Sequence, residues 1–316
     1  MDWPRHLLDI ESLSRPQIEA LLDLAGRYRK ERGPAASTPA QRKTLEGRTV
    51  VTLFFEASTR TRSSFEMAAR ALGADVLSFQ KDASSVSKGE TLADTVRNLD
   101  ALRPDALVVR HPSAGAALQV SKAATRASVL NAGDGAHEHP TQALLDALTL
   151  RERWGTLEKR TVAIVGDIAH SRVARSNIHC LQKLGARVRV GGPSTLLPLG
   201  IERLGCEVTH TLRETLEGAD AVMALRIQLE RLQDSRLPST RDYARAWGLT
   251  ARALSWLPQH AVVLHPGPIN RGVEIASDVA DGERSLILDQ VDSGVAVRMA
   301  ALLLCLRAAP GGVHHG

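Results

Sequence analysis

Short apolar runs alternate with amphipathic segments along most of the chain, and this alternation restricts the fold more than any other feature of the sequence. The run at 49–55 is rich in β-branched and aromatic residues, which is typical of a buried parallel strand. An alanine-rich segment at 63–72 follows it and ends at Gly73, a pattern that indicates a helix and its C-terminal cap. Strands that alternate with helices form parallel sheets covered by those helices. The predicted fold class is therefore α/β.

The alternation runs through two halves of the chain. At 316 residues, a single hydrophobic core would be near its upper size. We therefore predict two Rossmann-like domains, residues 1–140 and 141–290, each a parallel sheet flanked by helices, joined by long interdomain helices. A helix within 291–316 is expected to pack back on the first domain. The other predicted strands are 75–79, 105–110, 128–132, 161–166, 187–190, 206–210, 220–225 and 261–264, and the other helices are 91–102, 115–124, 142–153, 172–184 and 295–307.

The composition narrows the class of protein. Apolar residues make up 43% of the chain but aromatic residues only 3%, so the cores must be largely aliphatic. The net charge of +5 comes from dispersed Lys and Arg, which favours a small anionic substrate over nucleic acid. Three cysteines without metal-ligand spacing indicate reduced thiols. Because no apolar run reaches about 18 residues and no signal-peptide core is present, we predict a cytoplasmic protein without a membrane partner.

Charged and hydroxyl side chains follow the predicted strands, and ligands of open parallel sheets bind beyond the carboxyl ends of strands. The sequence Ser-Thr-Arg-Thr at 58–61 lies between a strand and a helix, where main-chain N–H groups and the helix dipole attract anions. Arginines recur at such ends in both halves. They predict a substrate with several negative groups, a phosphate on one domain and carboxylates on the other. These arginines are Arg60, Arg110, Arg172 and Arg226.

Two other kinds of site are not supported by the sequence. The turn after the strand at 161–166 has a single glycine, whereas a dinucleotide site needs the G-x-G-x-x-G pattern. His137 and His139 are not joined by an acid or a cysteine at metal-ligand spacing. We therefore predict neither a cofactor nor a metal. Two residues also have purely structural interpretations: His139 could cap the helix that follows it, and Lys88, in a polar loop, could be a solvated surface charge.

Several motifs together resemble the aspartate and ornithine carbamoyltransferases. The stretch at 58–66 looks like the carbamoyl-phosphate signature of that family, and further matching motifs occur in the family's order at 87–95, 110–112, 139–142, 226–231 and 265–268. The ornithine-type stretches D-x-W-x-S-M-G and H-C-L-P are missing, whereas Arg226-x-Gln228-x-x-Arg231 resembles the chains that use aspartate. Arginine suits an acceptor with a second carboxylate, and an acceptor with an ammonium group would need an acid or a thiolate.

This resemblance implies transfer of a carbamoyl group from carbamoyl phosphate to L-aspartate, giving N-carbamoyl-L-aspartate and phosphate in de novo pyrimidine (UMP) biosynthesis. The alternatives are another amino-acid acceptor, such as ornithine or an acylated derivative, and a non-catalytic paralogue. The resemblance also implies a homotrimer with shared active sites. The turn at 133–139 resembles the branch whose chains associate with dihydroorotase or a dihydroorotase-like chain.

The resemblance assigns roles residue by residue. Thr61, Arg110 and His139 would stabilise the oxyanion, with Arg60 and Lys88 completing the catalytic set, and Ser84 and Lys88 would come from a neighbouring subunit. Gly267 stands where leucine is more familiar. The residues assigned to carbamoyl phosphate are Ser58, Thr59, Arg60, Thr61, Ser84, Lys88, Arg110, His139 and Gln142. Those assigned to aspartate are Lys88, Arg172, Arg226, Gln228, Gly267 and Pro268.

Overall fold

The computed structural model describes residues 2–32, 37–80, 90–227 and 239–309. Contacts between residues cluster into two units. The first unit contains the described residues up to Leu148 and those from Asp292 on, and the second unit is Thr149–Val291. Each dividing point lies inside a long helix, Pro140–Trp154 or Ile287–Arg307.

The first unit is built on a four-stranded parallel sheet. Its strands are β1 (Thr49–Phe54), β2 (Asp75–Gln80), β3 (Ala106–His111) and β4 (Ser128–Asp134), and its helices up to residue 154 are α1 (Arg15–Arg32), α2 (Thr59–Ala71), α3 (Leu92–Ala101), α4 (Ala116–Ala123) and α5 (Pro140–Trp154). The strand order is β2-β1-β3-β4, so β1 and β3 are central and β2 is an edge strand. The carboxyl ends of β1 and β3 are therefore adjacent, and they carry the candidate residues that follow each strand.

The second unit contains a five-stranded parallel sheet in the order β7-β6-β5-β8-β9. Its strands are β5 (Thr161–Val165), β6 (Arg187–Gly191), β7 (Glu207–Thr209), β8 (Ala221–Ala224) and β9 (Val262–Leu264), and the remaining helices are α6 (Arg172–Lys183), α7 (Leu212–Leu216), α8 (Thr240–Trp247), α9 (Ala251–Leu254), α10 (Ser277–Ala280) and α11 (Ile287–Arg307). The predicted α/β fold with two parallel sheets is confirmed.

The cores are largely aliphatic, as the low aromatic content predicts. The buried residues clustered on one face of the first sheet are all Val, Leu or Ala, and the corresponding cluster of the second unit adds Tyr243 and Trp247. Two helices begin four or more residues earlier than predicted. The α2 helix starts at Thr59 rather than 63, and α11 starts at Ile287 rather than 295. The first turns of α11 expose Leu288 and Val291 and carry no apolar run, so the sequence pattern did not include them. Among the described helices, none combines the length and apolarity required to cross a membrane.

Each unit contains, within itself, an arginine–aspartate contact at the amino ends of its central strands, which we call an arginine–aspartate clasp. In the first unit, Asp105 precedes β3 and accepts from Arg48 Nη1 at 2.7 Å and from the main-chain N–H of Thr49, the first residue of β1, at 2.8 Å. In the second unit, Asp220 precedes β8 and accepts from Arg160 Nη1 at 2.9 Å and from the first N–H of β5 at 2.8 Å. Each clasp joins the central strand to its neighbour and so helps to fix their register.

A buried carboxylate at the end of α3 stabilises the loop before β4. Asp100 accepts from the main-chain N–H groups of Thr125, Arg126 and Ala127 and from the Thr125 hydroxyl, at 2.8–3.3 Å. Burial alone would raise the pKa of Asp100, but these hydrogen bonds outweigh it and the pKa is lowered. The stabilisation is therefore present above about pH 4 and is lost as the pH falls through the depressed pKa.

Replacing Asp100 by Asn should lower the free energy of unfolding at neutral pH by about 2–3 kcal/mol, since an amide cannot accept all these bonds. It should also flatten the acid side of the stability curve, because the variant has no carboxylate to protonate there. Denaturant unfolding from neutral to acidic pH measures both effects. The exposed Asp75 provides a matched control, and equal behaviour of Asp75→Asn and Asp100→Asn would contradict the prediction.

Candidate active site

The segment between β1 and α2 presents hydroxyl groups and a guanidinium at a helix N-terminus. Ser58 occupies the N-cap position with φ −160° and ψ 82°, and the main-chain N–H of Arg62 donates to its carbonyl at 3.1 Å. Thr59, Arg60 and Thr61 form the first turn of α2. Main-chain N–H groups of a first helical turn have no partner within the helix. Thr59 and Arg60 are exposed, so this turn can present both N–H groups and side chains to an anion.

Arg110, near the end of β3, brings a second guanidinium to this helix terminus. Its Nη1 atom lies 3.4 Å from the hydroxyl of Thr61 and donates to the carbonyl of Ala132 at 3.3 Å. Its Nε atom is 2.6 Å from Oε1 of Glu56, in an ion pair whose side chains are 13% and 19% exposed. The adjacency of β1 and β3 in the sheet thus gathers Arg110, Thr61 and Glu56, and sequence reasoning had not paired Glu56 with Arg110.

His139 and Gln142 are positioned by the start of α5. The His139 carbonyl accepts from the main-chain N–H groups of Gln142 and Ala143 at 3.0 and 3.3 Å, so its backbone does cap this helix while its side chain is 4% exposed. Gln142 is 8% exposed, and its Nε2 atom donates to Oδ1 of Asp146 at 2.9 Å. Gln and Asp four residues apart lie on one helix face. That spacing is the signal by which sequence reasoning could have found Asp146.

The turn that leads from β4 to His139 is held by a buried aspartate that sequence reasoning missed. Asp134 accepts from Asn131 Nδ2 at 2.9 Å, from the main-chain N–H of Gly115 at 2.8 Å and from that of Glu138 at 3.2 Å. His137 Nδ1 lies 3.2 Å from both Asp134 carboxylate oxygens. These contacts give His137 a partner in the turn itself and define the path of the chain into His139.

In the second unit, Arg172 is the first residue of α6, after β5. Ser171 caps this helix by accepting from the main-chain N–H of Ala174 at 3.1 Å. The preceding turn is fixed by Asp167, which is 1% exposed and accepts from the main-chain N–H of His170 at 3.1 Å, while its Oδ1 lies 2.9 Å from His170 Nδ1. Arg172 is partly exposed at a helix N-terminus, a position open to an anionic ligand.

Arg226 follows β8, the strand next to β5. The main-chain N–H of Leu225 donates to the main-chain carbonyl of Val165 at 2.8 Å, which continues the pairing of β8 with β5 up to the residue before Arg226. Asn270 Nδ2 donates to the carbonyl of Ile227 at 3.0 Å and so ties the segment after β8 to the one after β9. Arg172, Arg226 and the Gly267–Pro268 segment thus lie at the carboxyl ends of β5, β8 and β9, which are consecutive in the sheet.

The Gly267–Pro268 segment is held by a buried histidine and glutamate. The main-chain N–H of Gly267 donates to His265 Nδ1 at 2.7 Å, so the ring proton is on Nε2, which lies 3.1 Å from Oε1 of Glu274. Both side chains are at most 1% exposed. Gly267 has φ +64° and is joined to Pro268 by a cis peptide bond. This φ favours glycine over the more familiar leucine, and the bond to His265 constrains the backbone there.

Three predicted site residues, Ser84, Lys88 and Gln228, lie outside the described residues. The others fall into two groups, each within one unit. The first unit contains Ser58, Thr59, Arg60, Thr61, Arg110, His139 and Gln142, of which Arg110 and Thr61 are in contact. The second places Arg172, Arg226, Gly267 and Pro268 at one edge of its sheet.

Two domain profiles of known proteins match this chain. The profile of the carbamoyl-P binding domain of aspartate/ornithine carbamoyltransferases matches residues 5–152, and that of the Asp/Orn binding domain matches residues 158–305. The chain belongs to the aspartate/ornithine carbamoyltransferase family. The family predicted from the sequence is confirmed.

Named relatives include members with either acceptor. The aspartate carbamoyltransferase catalytic subunit of Anaeromyxobacter sp. (strain K) is 57% identical over 302 residues, 95% of each chain. Aspartate transcarbamoylase from Trypanosoma cruzi, solved with carbamoyl phosphate, is 33% identical with a TM-score of 0.83, over 94% of this chain and 95% of that one. Ornithine carbamoyltransferase from Pyrococcus furiosus is 27% identical with a TM-score of 0.86, over 99% and 100%. Relatives named for either acceptor thus share the backbone fold of this chain.

Proposed function

We propose that this chain is the catalytic chain of an aspartate carbamoyltransferase, which transfers the carbamoyl group of carbamoyl phosphate to the amine of L-aspartate in de novo pyrimidine biosynthesis. The proposal rests on one contact: Nη1 of Arg110 lies 3.4 Å from the hydroxyl of Thr61, in the first turn of α2. The names of the relatives at 57% identity support aspartate as the acceptor. Arg226 also supports aspartate as the acceptor, since an arginine suits the second carboxylate of a dicarboxylate.

The first unit would bind carbamoyl phosphate. Its phosphate would accept from the first-turn N–H groups of α2, from the hydroxyls of Ser58, Thr59 and Thr61, and from Arg60. Arg110 would lie between the phosphate and the carbonyl oxygen, and its ion pair with Glu56 would compete with the arriving dianion. His139 and Thr61 would donate to the same oxygen. The Gln142 carbonyl would accept from the carbamoyl nitrogen.

The reaction needs no nucleophile from the protein and no covalent enzyme intermediate, because carbamoyl phosphate is already activated. The neutral aspartate amine attacks the carbamoyl carbon, and the oxygen gains negative charge. As the tetrahedral intermediate collapses, the bond from carbon to the phosphate oxygen breaks and the leaving phosphate takes the proton that the amine loses. Holding the two substrates together can lower the barrier by up to about 7–11 kcal/mol. Each donor to the oxyanion adds on the order of 3 kcal/mol.

The second unit would bind aspartate, with Arg172 at the α-carboxylate and Arg226 with Gln228 at the side-chain carboxylate. The backbone at Gly267 and Pro268 would face the amine. The test is an assay of the isolated chain with labelled carbamoyl phosphate and either aspartate or ornithine. Turnover with aspartate alone is expected. Turnover with ornithine alone would transfer the proposal to that acceptor, and turnover with neither would favour a non-catalytic paralogue.

The proposed assembly is a homotrimer in which Ser84 and Lys88 reach the site of a neighbouring chain. The edge strand β2 leads into that segment and exposes Leu77 and Phe79, at 56% and 36%, which suits burial against a second copy. A larger assembly with dihydroorotase or a dihydroorotase-like chain rests on the resemblance of the turn at 133–139. The cytoplasmic location stays a prediction, in keeping with the three free cysteines.

Shared sites predict complementation between two inactive variants. Lys88→Ala and Arg60→Ala chains, unfolded together in equal amounts and refolded, should regain about a quarter of wild-type activity. The reason is that three-quarters of the trimers would be mixed and each would contain one complete site. Each variant refolded alone is the control. A mixture no more active than its components would contradict a shared site.

A further inference from the structure

The N-terminal segment lies beside β4, the strand at one end of the first sheet. The main-chain N–H of Leu7 donates to the carbonyl of Val129 at 2.9 Å, and the N–H of Asn131 donates to the carbonyl of Leu7 at 2.8 Å. Leu7 and Leu130 thus form a parallel bridge. The segment therefore pairs with β4 as a further strand of the sheet would.

Asn131, a fully buried residue of β4, uses both ends of its side-chain amide. Its Nδ2 atom donates to the carbonyl of Leu8 at 2.8 Å and to Oδ1 of Asp134 at 2.9 Å. Its Oδ1 atom accepts from the main-chain N–H of Gly133 at 2.8 Å. A carbonyl can only accept and an N–H can only donate, so Leu8 and Gly133 together fix the orientation of the amide. The oxygen of Asn131 is therefore committed to Gly133.

The N–H of Gly133 belongs to the same peptide group as the carbonyl of Ala132. That carbonyl accepts from Arg110 Nη1 at 3.3 Å. A trans peptide group is planar, with its C=O and N–H on opposite sides, so fixing the direction of one fixes the direction of the other. Asn131 on one side and Arg110 on the other thus hold a single peptide plane.

The pairing of β3 with β4 is irregular at this peptide group. Arg110 of β3 lies opposite two residues of β4, Ala132 and Gly133, because the register of the two strands shifts there. Such a bulge interrupts the regular hydrogen bonds of the ladder. Gly133 also has φ +116°, and glycine is the residue with the greatest backbone freedom. The side chain of Asn131 therefore holds a peptide plane that regular strand pairing does not hold.

We propose that Asn131 is a positioning residue for Arg110, which it orients through the Ala132–Gly133 peptide group. The inference rests on the proposed function, because it takes Arg110 to contact the phosphate and the carbonyl oxygen of carbamoyl phosphate. Through its carbonyl at Leu8, the N-terminal segment helps to support the same site. Asn131 itself does not touch the substrate in this proposal.

A double-variant cycle with Arg110 tests the proposal. Calorimetry would give the dissociation constant of carbamoyl phosphate for the wild type, Asn131→Ala, Arg110→Ala and the Asn131→Ala/Arg110→Ala double variant. We expect Asn131→Ala to weaken binding about tenfold, because a displaced guanidinium loses part of its charge-assisted contact with the phosphate. The double variant should bind within about twofold of Arg110→Ala, because no guanidinium remains to be oriented.

Turnover and a matched control separate positioning from stability. With aspartate present, Asn131→Ala should lower kcat about 100-fold, since Arg110 would also contact the oxygen that gains charge. Ser128, a fully buried residue of the same strand, donates its hydroxyl to the carbonyl of Cys305 at 3.1 Å. Ser128→Ala should lower the free energy of unfolding and leave the dissociation constant and kcat within about twofold of the wild type.

A merely structural role of Asn131 would lower the free energy of unfolding and leave the dissociation constant of the folded chain unchanged, and that result would overturn the inference. Equal losses from Asn131→Ala with and without the Arg110 guanidinium would overturn it too. If Asn131→Ala does not fold, Asn131→Asp replaces it in the cycle, because it keeps the shape of the side chain but loses the NH2 group that donates to Leu8 and Asp134. Wild-type binding by Asn131→Asp would then sink the idea.

The same measurements keep the inference apart from the proposed function. A wild type that binds carbamoyl phosphate but transfers to no amino acid refutes the proposed function, and the cycle still decides the role of Asn131. A wild type that does not bind carbamoyl phosphate refutes both.

Discussion

Replacing Arg60 by alanine should lower kcat by about 1,000-fold, because the first turn of α2 then loses its guanidinium next to the leaving phosphate. A charged donor aimed at charge that develops in the transition state is worth about 3–4 kcal/mol. Arg60 is exposed at a helix terminus, so the substitution leaves the core untouched and the thermal unfolding midpoint should not move. Steady-state kinetics at saturating aspartate measures the effect.

The same helix provides the control for this experiment. Arg70 is exposed in the last turn of α2, at the end of the helix that lies away from the candidate phosphate site. Arg70→Ala removes an equal charge from the same element and should leave kcat within about twofold of the wild type, as most surface substitutions do. If Arg60→Ala turned over like Arg70→Ala, the assignment of the phosphate to this turn would be wrong.

Replacing Arg226 by alanine should lower kcat/KM for aspartate by about 1,000-fold. The second carboxylate of aspartate would lose a charge-assisted partner, a loss worth about 3–5 kcal/mol. The affinity for carbamoyl phosphate should stay unchanged, because Arg226 follows β8 in the second unit and the candidate phosphate site is in the first. Kinetics with varied aspartate and calorimetry with carbamoyl phosphate separate the two quantities.

Two comparisons sharpen this second test. Arg245 is exposed on α8 of the same unit, so Arg245→Ala is matched in charge change and domain and should retain wild-type kinetics. Arg226→Lys keeps the charge but not the bidentate geometry and should recover only part of the loss. A normal kcat/KM in Arg226→Ala, or an equal loss of carbamoyl-phosphate binding, would remove Arg226 from the aspartate side of the reaction.

Local patterns were enough to predict the fold and the positions of the candidate residues along the sheets. An apolar run predicts a buried parallel strand, and the residues that follow the strand lie at the carboxyl edge of the sheet. The sequence therefore located Arg60, Arg110, Arg172 and Arg226 at strand ends in advance. Their assigned roles stay predictions.

The supporting contacts could not be predicted, because they join residues that are distant in the chain. Leu8 and Asn131 are 123 positions apart, and nothing in either segment specifies the other. The ion pair of Glu56 with Arg110 depends on the order of β1 and β3 in the sheet. The early start of α2 has a local cause, since threonine and serine are weak helix formers that are nevertheless accepted in a first turn.

The arginine–aspartate clasps fix the central strands at their amino ends, whereas the candidate substrate contacts lie at the carboxyl ends. Selection can therefore act on the two ends separately. Loops at the carboxyl edge can exchange one acceptor for another while the strand pairing is maintained from the opposite edge. This separation suits a family in which aspartate- and ornithine-using members, 33% and 27% identical to this chain, keep TM-scores of 0.83 and 0.86 to it. An attempt to change the acceptor by design would leave Arg48, Asp105, Arg160 and Asp220 unaltered.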